Sequence, residues 1–316
     1  MKKKSFGIFL TLFLLLSACG GEEPAAEPEA ETAALVNGAF SAELNGFEIH
    51  YEVHGAGPVC MVLPVSWGQS HEGMRGSLKG LEDHLTMVYF DPRGMGQSGE
   101  IETDADMSIA AVREDCRALL AHLGLESVIL LGWSNSGTNA MVYAAEHPEQ
   151  VEKLILMHTL HYMTPAQEAE FAEQFADDVQ ALGELMQMEG SDEEKDAAWR
   201  SFFVERWLPL MVYNHDAHLG QIVEVLDNTD LSFKHNFYEQ TVDMVDFDGR
   251  EACAQIKAPT LIIAGAHDIY TVEMLETLRD AIAGSTMVVM EESGHFSCIE
   301  EPEKFRSAVL EFLAIE

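Results

Sequence analysis

Apolar and polar positions alternate along residues 40–44 and 47–54, and the two runs flank Asn45-Gly46, which predicts an antiparallel hairpin at the start of the folded part. Downstream the alternation gives way to short, continuous apolar runs at 59–63, 87–90, 128–131, 153–157, 260–264 and 286–290. Strands that read apolar throughout are buried on both faces, as in a parallel sheet. Between them apolar residues recur at helical spacing over about 108–122, 137–147, 271–282 and 302–313. Strands and helices in turn predict a doubly wound, mostly parallel α/β sheet. The rhythm stops from about 160 to 250, where no strand-like run occurs and Phe171, Phe175, Val179, Leu182 and Leu185 recur at three or four. This insertion is expected to form a helical cap over the carboxyl ends of the strands, where ligands of such sheets bind.

The first residues stand outside that pattern. Lys2, Lys3 and Lys4 precede an apolar run over 6–16, shorter than the roughly 20 residues that span a bilayer and suited to a secretory leader. It ends in Leu16-Ser17-Ala18-Cys19, which resembles the lipobox of bacterial lipoproteins. The resemblance implies a leader over 1–18, a diacylglyceryl group on Cys19, and a protein anchored in the bacterial cell envelope outside the cytoplasm. Residues 19–36 hold five Glu and no basic residue, the composition of a solvated tether, with the folded domain expected over 37–316. An acidic tether is not drawn to anionic lipid, so the acyl chains would supply the anchorage.

Over the whole chain 54 acidic side chains stand against 18 basic ones, a formal charge of -36. Such a surface repels phosphate backbones and lacks a basic stripe, which excludes nucleic acid as a partner. A neutral or cationic small molecule, or a short peptide, remains compatible. The cysteines after Cys19, namely Cys60, Cys116, Cys253 and Cys298, are widely spaced without metal-type pairing and are expected as buried free thiols.

Candidate chemistry lies in three stretches, each just after a strand. Gly132-Trp133-Ser134-Asn135-Ser136-Gly137 carries an apolar strand into a helix through small residues, the pattern of a turn that projects a Ser hydroxyl above a sheet. Gly265-Ala266-His267-Asp268 and Ser293-Gly294-His295-Phe296 supply an acid and a base. A Ser hydroxyl needs a base to take its proton, and the imidazole needs a carboxylate to fix its tautomer, so Ser134, Asp268 and His295 are the candidate catalytic residues. Asp246 and Asp248 are rival acids but precede the strand and read as surface residues.

With these motifs in the order Ser, acid, His, the chain resembles the α/β-hydrolase family across essentially residues 38–316. Asp91-Pro92-Arg93-Gly94-Met95-Gly96-Gln97-Ser98 is similar to that family's D-x-R-G-x-G-x-S turn, and Ser70-His71-Glu72 with Trp199-Arg200-Ser201-Phe202-Phe203 is similar to its prolyl aminopeptidase branch. The resemblance implies an α/β-hydrolase fold and a serine hydrolase that works through an acyl-enzyme without cofactor or metal. Its substrate would be a small ester or amide, with aminopeptidase and carboxylesterase as competing forms. A non-catalytic binding protein on the same scaffold is the further alternative. Oxyanion donors would be the N–H groups of Asn135 and Ser66, with Trp67 as the alternative to Ser66. That branch shows H-G-G-P-G and G-G-S-W-G-G where this chain reads Pro64-Val65-Ser66-Trp67-Gly68 and Gly132-Trp133-Ser134-Asn135-Ser136-Gly137. Epoxide hydrolases and dehalogenases carry Asp at the elbow, so their chemistry is disfavoured.

Other signals have plainer readings. The G-x-G-x-x-G match at 94–99 runs into Glu100, Glu102, Asp104 and Asp106, which would oppose a pyrophosphate, so it reads as a turn. His158 with His161 and His215 with His218 have ligand-compatible spacing but no completing Cys or carboxylate pattern, and are expected in the cap or on its surface. Trp199, Phe202, Phe203 and Trp207 fit cap packing or pocket lining. Trp67, Trp133 and Glu205 are candidate substrate contacts, Glu205 as a partner for a substrate amine.

Overall fold

The computed structural model describes residues 35–64 and 67–315, so the leader, the lipobox with Cys19, most of the tether and Ser66 lie outside the described residues. An eight-stranded sheet runs through the domain: β1 (Gly38–Leu44), β2 (Phe47–Gly55), β3 (Val59–Val62), β4 (Thr86–Phe90), β5 (Val128–Trp133), β6 (Val151–Met157), β7 (Thr260–Gly265) and β8 (Thr286–Met290). Their spatial order is β1-β2-β4-β3-β5-β6-β7-β8. β1 and β2 pair antiparallel across Asn45 and Gly46, both at positive φ as a tight hairpin demands. β2 meets β4 antiparallel, and every later pairing is parallel.

Helices cover both faces because the central strands are apolar on both: every residue of β4, β5 and β7 is buried. These helices are α1 (His71–Leu78), α2 (Ile109–His122) and α3 (Asn135–Glu146), joined by further helices after the insertion. The insertion holds α4 (Pro165–Gln174), α5 (Ala176–Leu185), α6 (Asp192–Phe202), α7 (Leu208–Leu210), α8 (Gly220–Leu226) and α9 (Phe233–Tyr238), with π-helical turns between several of them. α10 (Arg250–Gln255) leads into β7, and α11 (Val272–Ala281), α12 (Ser297–Glu300) and α13 (Pro302–Leu313) complete the chain. One apolar cluster sits on each side of the sheet, and the one containing Trp133, Met157 and Ile263 extends into the cap through Trp199, Phe203 and Trp207.

Cys60, Cys116, Cys253 and Cys298 are buried free thiols, as expected. Burial pushes Cys60, Cys116 and Cys253 up to about 12, so they keep their protons at neutral pH. The 94–99 turn is structural. Asp91, fully buried, accepts from the backbone N–H and Nδ1 of His71 and from the N–H of Gln97, while Arg93 clamps Asp115 through two bonds of 2.7 Å.

Candidate active site

The strand β5 ends at Trp133 and the helix α3 begins at Asn135, which leaves Ser134 alone in the turn at φ 57, ψ -132. Such a conformation costs a non-glycine residue about 1–3 kcal/mol and is held only where the surroundings over-determine it. They do so here. Ser134 N–H donates to Met157 O at 2.9 Å, a Cβ at Gly132 would lie 2.7 Å from Gly137 Cα and Ser136 O, where strand and helix meet backbone to backbone, and a Cβ at Gly137 would lie 2.6 Å from the Thr159 side chain. Ser136, which stands where the usual pattern has Gly, accepts the Trp133 N–H and donates to the Trp133 carbonyl, both at 2.9 Å. Its hydroxyl therefore pins the turn internally.

Asp268 and His295 follow β7 and β8. Nδ1 of His295 lies 2.9 and 3.0 Å from the two Asp268 oxygens, and the backbone N–H of His295 donates to Met211 O of the cap at 2.7 Å. A carboxylate only accepts, so Nδ1 carries the proton and Nε2 is left as the basic nitrogen. Burial by itself would raise the Asp268 carboxyl; His295, together with hydrogen bonds from His158 and His295, outweighs it and holds the group well below the usual carboxylate range. Glu300 braces the loop, accepting from Gly294 N–H at 2.8 Å and from Tyr213 N–H at 2.7 Å.

Ser134 and His295 line one apolar cavity of about 50 Å³ between sheet and cap. Trp67, Trp133, Met74, Phe203, Trp207, Met211, Ile222, Leu226 and Tyr270 complete most of its wall. The sequence model of the alpha/beta hydrolase fold matches residues 60–302.

The chain belongs to the alpha/beta hydrolase family.

Relatives in that family carry several names. The human protein "Serine hydrolase BPHL" is 35% identical over 161 residues, 49% of this chain, and the match spans 55% of that protein's length. The "Proline iminopeptidase" of Saccharolobus solfataricus is 23% identical over 280 residues, covering 83% of this chain and 87% of the relative. An alpha/beta fold family hydrolase from Bacillus anthracis str. Sterne superposes with a TM-score of 0.73 at 21% identity, over 87% of this chain and 99% of that one, a likeness of fold.

Within this alpha/beta hydrolase site the other sequence candidates separate. Asn135 opens α3, so its N–H has no intrahelical acceptor and stands beside Ser134 as an oxyanion donor would. The alternative donor, Trp67 N–H, is engaged: it donates at 2.8 Å to Glu239 Oε2, whose other oxygen accepts from Asn135 Nδ2 at 2.8 Å. The Trp67 ring stacks on Trp199 and Trp207 at 5.6 and 5.3 Å and lines the cavity, as does Trp133. Trp133 Nε1 is a buried donor without a partner among the described residues. Of the cap aromatics Phe203 and Trp207 reach the cavity wall, whereas Trp199 and Phe202 pack behind it.

Two expectations need correction. Glu205 is exposed on the π-helical turn after α6 and does not line the cavity, because Phe203 and Trp207 take the inward positions of that turn. The cap carboxylate that does reach the elbow is Glu239, 6% exposed, from the turn after α9. His158 is neither in the cap nor on its surface: it directly follows β6 and is fully buried behind His295, because a residue just past the end of a central strand faces the loops of its neighbours. His161 is also buried, while His215 is exposed, and Asp246 and Asp248 are exposed as expected. Among the described residues two clusters could hold a metal by spacing, His50 with His71 and Asp91, and His158 with Asp268 and His295; in both, the carboxylate is already hydrogen-bonded by imidazole.

Tyr270, partly buried in the cavity wall, lies edge-on to His295 with ring centroids 6.0 Å apart. Burial, with the charges of Asp268 and Glu239, pushes its phenol up, so it stays a proton donor. Sequence reading missed Tyr270, Glu239, Glu300 and the role of His158; only the adjacency of Tyr270 to Asp268 was a signal in the chain.

Proposed function

We propose that this protein is a serine hydrolase that cleaves esters or amides of a small apolar acyl group carrying a free amine. The observation that carries the reading is the meeting, in one cavity, of Ser134 held at positive φ and His295 backed by Asp268. His295 Nε2 takes the Ser134 proton as Oγ bonds to the substrate carbonyl carbon. The same nitrogen then protonates the departing alcohol or amine as the carbonyl–heteroatom bond breaks. Water, deprotonated by His295, releases the acid and restores Ser134. Asn135 N–H and, from outside the described residues, Ser66 N–H are proposed to hold the oxyanion, each donor worth about 3 kcal/mol.

The apolar wall, formed by Met74, Trp207, Ile222 and Leu226 among others, supports a compact acyl group. Glu239 supports the amine from behind the elbow: it lines not the Ser134 cavity but the adjoining one with Asn135 and Ser136, where a substrate ammonium reaching past Asn135 would meet a buried carboxylate, and an acidic protein concentrates cations at its surface. The names of relatives, a proline iminopeptidase among them, agree with acyl or aminoacyl hydrolysis. The comparison that decides between aminopeptidase and carboxylesterase is hydrolysis of prolyl and other aminoacyl arylamides against p-nitrophenyl esters. Glu239→Gln should lower kcat/KM at least 10-fold more for an aminoacyl ester than for its N-acetyl counterpart; equal losses on both would remove Glu239 as the amine partner.

We further propose that Cys19 carries the lipid and that the protein faces outward from a membrane of the cell envelope. Cys19→Ser should move it from the membrane fraction to the soluble one and abolish incorporation of labelled fatty acid, as the acyl chains supply the anchorage. Unchanged membrane retention would exclude this attachment.

A further inference from the structure

Asp268 serves two imidazoles. Besides His295, it accepts at Oδ2 from Nδ1 of His158 at 2.8 Å, and Nε2 of His158 lies 2.8 Å from Ser297 Oγ. His158 and Ser297 are both fully buried, and the two imidazole rings are 5.2 Å apart at 44°. The carboxylate can only accept, so His158 Nδ1 bears the proton and Ser297 donates its O–H to Nε2. This wiring fixes the ring as a neutral donor with one orientation. Burial lowers the basicity of His158 further, against the opposing pull of Asp268, which keeps it neutral.

The backbone is committed to this contact. His158 sits at φ 48, a conformation that costs a residue with a Cβ, and its N–H continues the β6 ladder onto Ile263 O at 2.9 Å. A strained, fully buried histidine whose two nitrogens meet the acid and a helix hydroxyl exceeds what space-filling requires. The titratable groups around it are Asp268, His295 and Glu300, and those facing His295 are Asp268, His158 and Tyr270.

We propose that His158 is a positioning residue: its Nδ1–H holds the Asp268 carboxylate against rotation and shares its charge, which aims His295 and moderates its basicity. The inference rests on the reading of Ser134, His295 and Asp268 as the reacting groups. Without the second donor, the whole negative charge of Asp268 falls on the His295 hydrogen bond. The imidazolium is then stabilised, and a more alkaline medium is needed to free Nε2 as a base.

The test is the rate of Ser134 labelling by a fluorophosphonate as a function of pH in the full chain, with His158→Phe, His158→Leu and His158→Asn. In the Phe and Leu variants, either of which suffices if the other does not fold, the acid limb should move up by roughly half a unit to one unit. The plateau should fall on the order of 10-fold as Asp268 gains freedom to rotate. Asn is well tolerated at positive φ and can place an amide N–H near the original Nδ1, so its acid limb should stay at the wild-type position. A folded Phe or Leu variant with an unmoved limb, or an Asn limb displaced as far as theirs, overturns the role of His158 alone. A wild-type chain that takes no label, or label that persists in Ser134→Ala, overturns the catalytic reading and this inference with it.

Discussion

Ser134→Ala should abolish fluorophosphonate labelling and lower hydrolysis of any substrate the protein accepts by at least about 10,000-fold. Removing the oxygen removes the atom proposed to form the acyl bond, while His295, Asp268 and the Asn135 N–H remain in place, so the residue of activity measures what those groups do with water alone. The fold should tolerate the change, since Ser134 is held by its backbone N–H to Met157 and by Gly137 N–H to its carbonyl. A companion variant separates chemistry from stability. Ser134→Gly relieves a non-glycine residue of φ 57 and should raise the unfolding free energy by about 1 kcal/mol while remaining just as inactive. A stable, unlabelled Gly variant would show that strain is retained at this position for reactivity. Undiminished hydrolysis by the Ala variant would remove Ser134 as the nucleophile.

Asp268→Asn should reduce kcat on the order of 10,000-fold with little change in KM, because the amide can present an N–H to His295 Nδ1 and drive the proton to Nε2, the wrong tautomer for a base. Here the loss is compounded, as one amide oxygen cannot serve both His158 and His295, which lie 2.8 and 2.9 Å from the native oxygens. The same carboxylate makes a stability prediction. Its folded-state pKa is depressed, mainly through His295 and the two imidazole hydrogen bonds working against burial, so its contribution is present above the unfolded value near 4. That contribution is lost as pH falls below 4 toward the folded value. Urea midpoints of wild type and Asp268→Asn should therefore differ most at neutral pH and converge in strongly acid solution. A constant gap at all pH values would assign the difference to packing rather than to charge.

Much of this candidate site was legible in the chain because each proposed reacting group sits in the loop that follows a strand, and strands announce themselves by local apolar runs. Val128 to Leu131 and Thr260 to Ala264 lie in strands that are wholly buried, so the turns after them, with Ser134 and Asp268, were placed with them. His158 was misread for the opposite reason. Its spacing from His161 fits helical pairing, but His158 directly follows β6 and what decides its partner is the neighbour strand β7, whose loop brings Asp268 alongside. Glu205 and Glu239 carry the same side chain among 54 acids, and sequence offered proximity to aromatics as the guide. The orientation of each turn after α6 and α9 then sent Glu205 to solvent and Glu239 to Asn135, 104 residues away in the chain.

By itself the sequence determined the alternation of strands and helices, the hairpin at Asn45-Gly46, the helical nature of the segment between β6 and β7, the acidity, and the order of Ser134, Asp268 and His295. These are properties of short windows, where side-chain period and turn chemistry act over a few residues. Only the tertiary structure decided the strand order, the apolar cavity shared by sheet and cap, the carboxylate held by two histidines, and the buried glutamate that ties Trp67 to Asn135. Those depend on which distant surfaces pack together, a choice made by the burial of whole faces and by hydrogen-bond geometry satisfied to a few tenths of an ångström, and no periodicity in one chain encodes it.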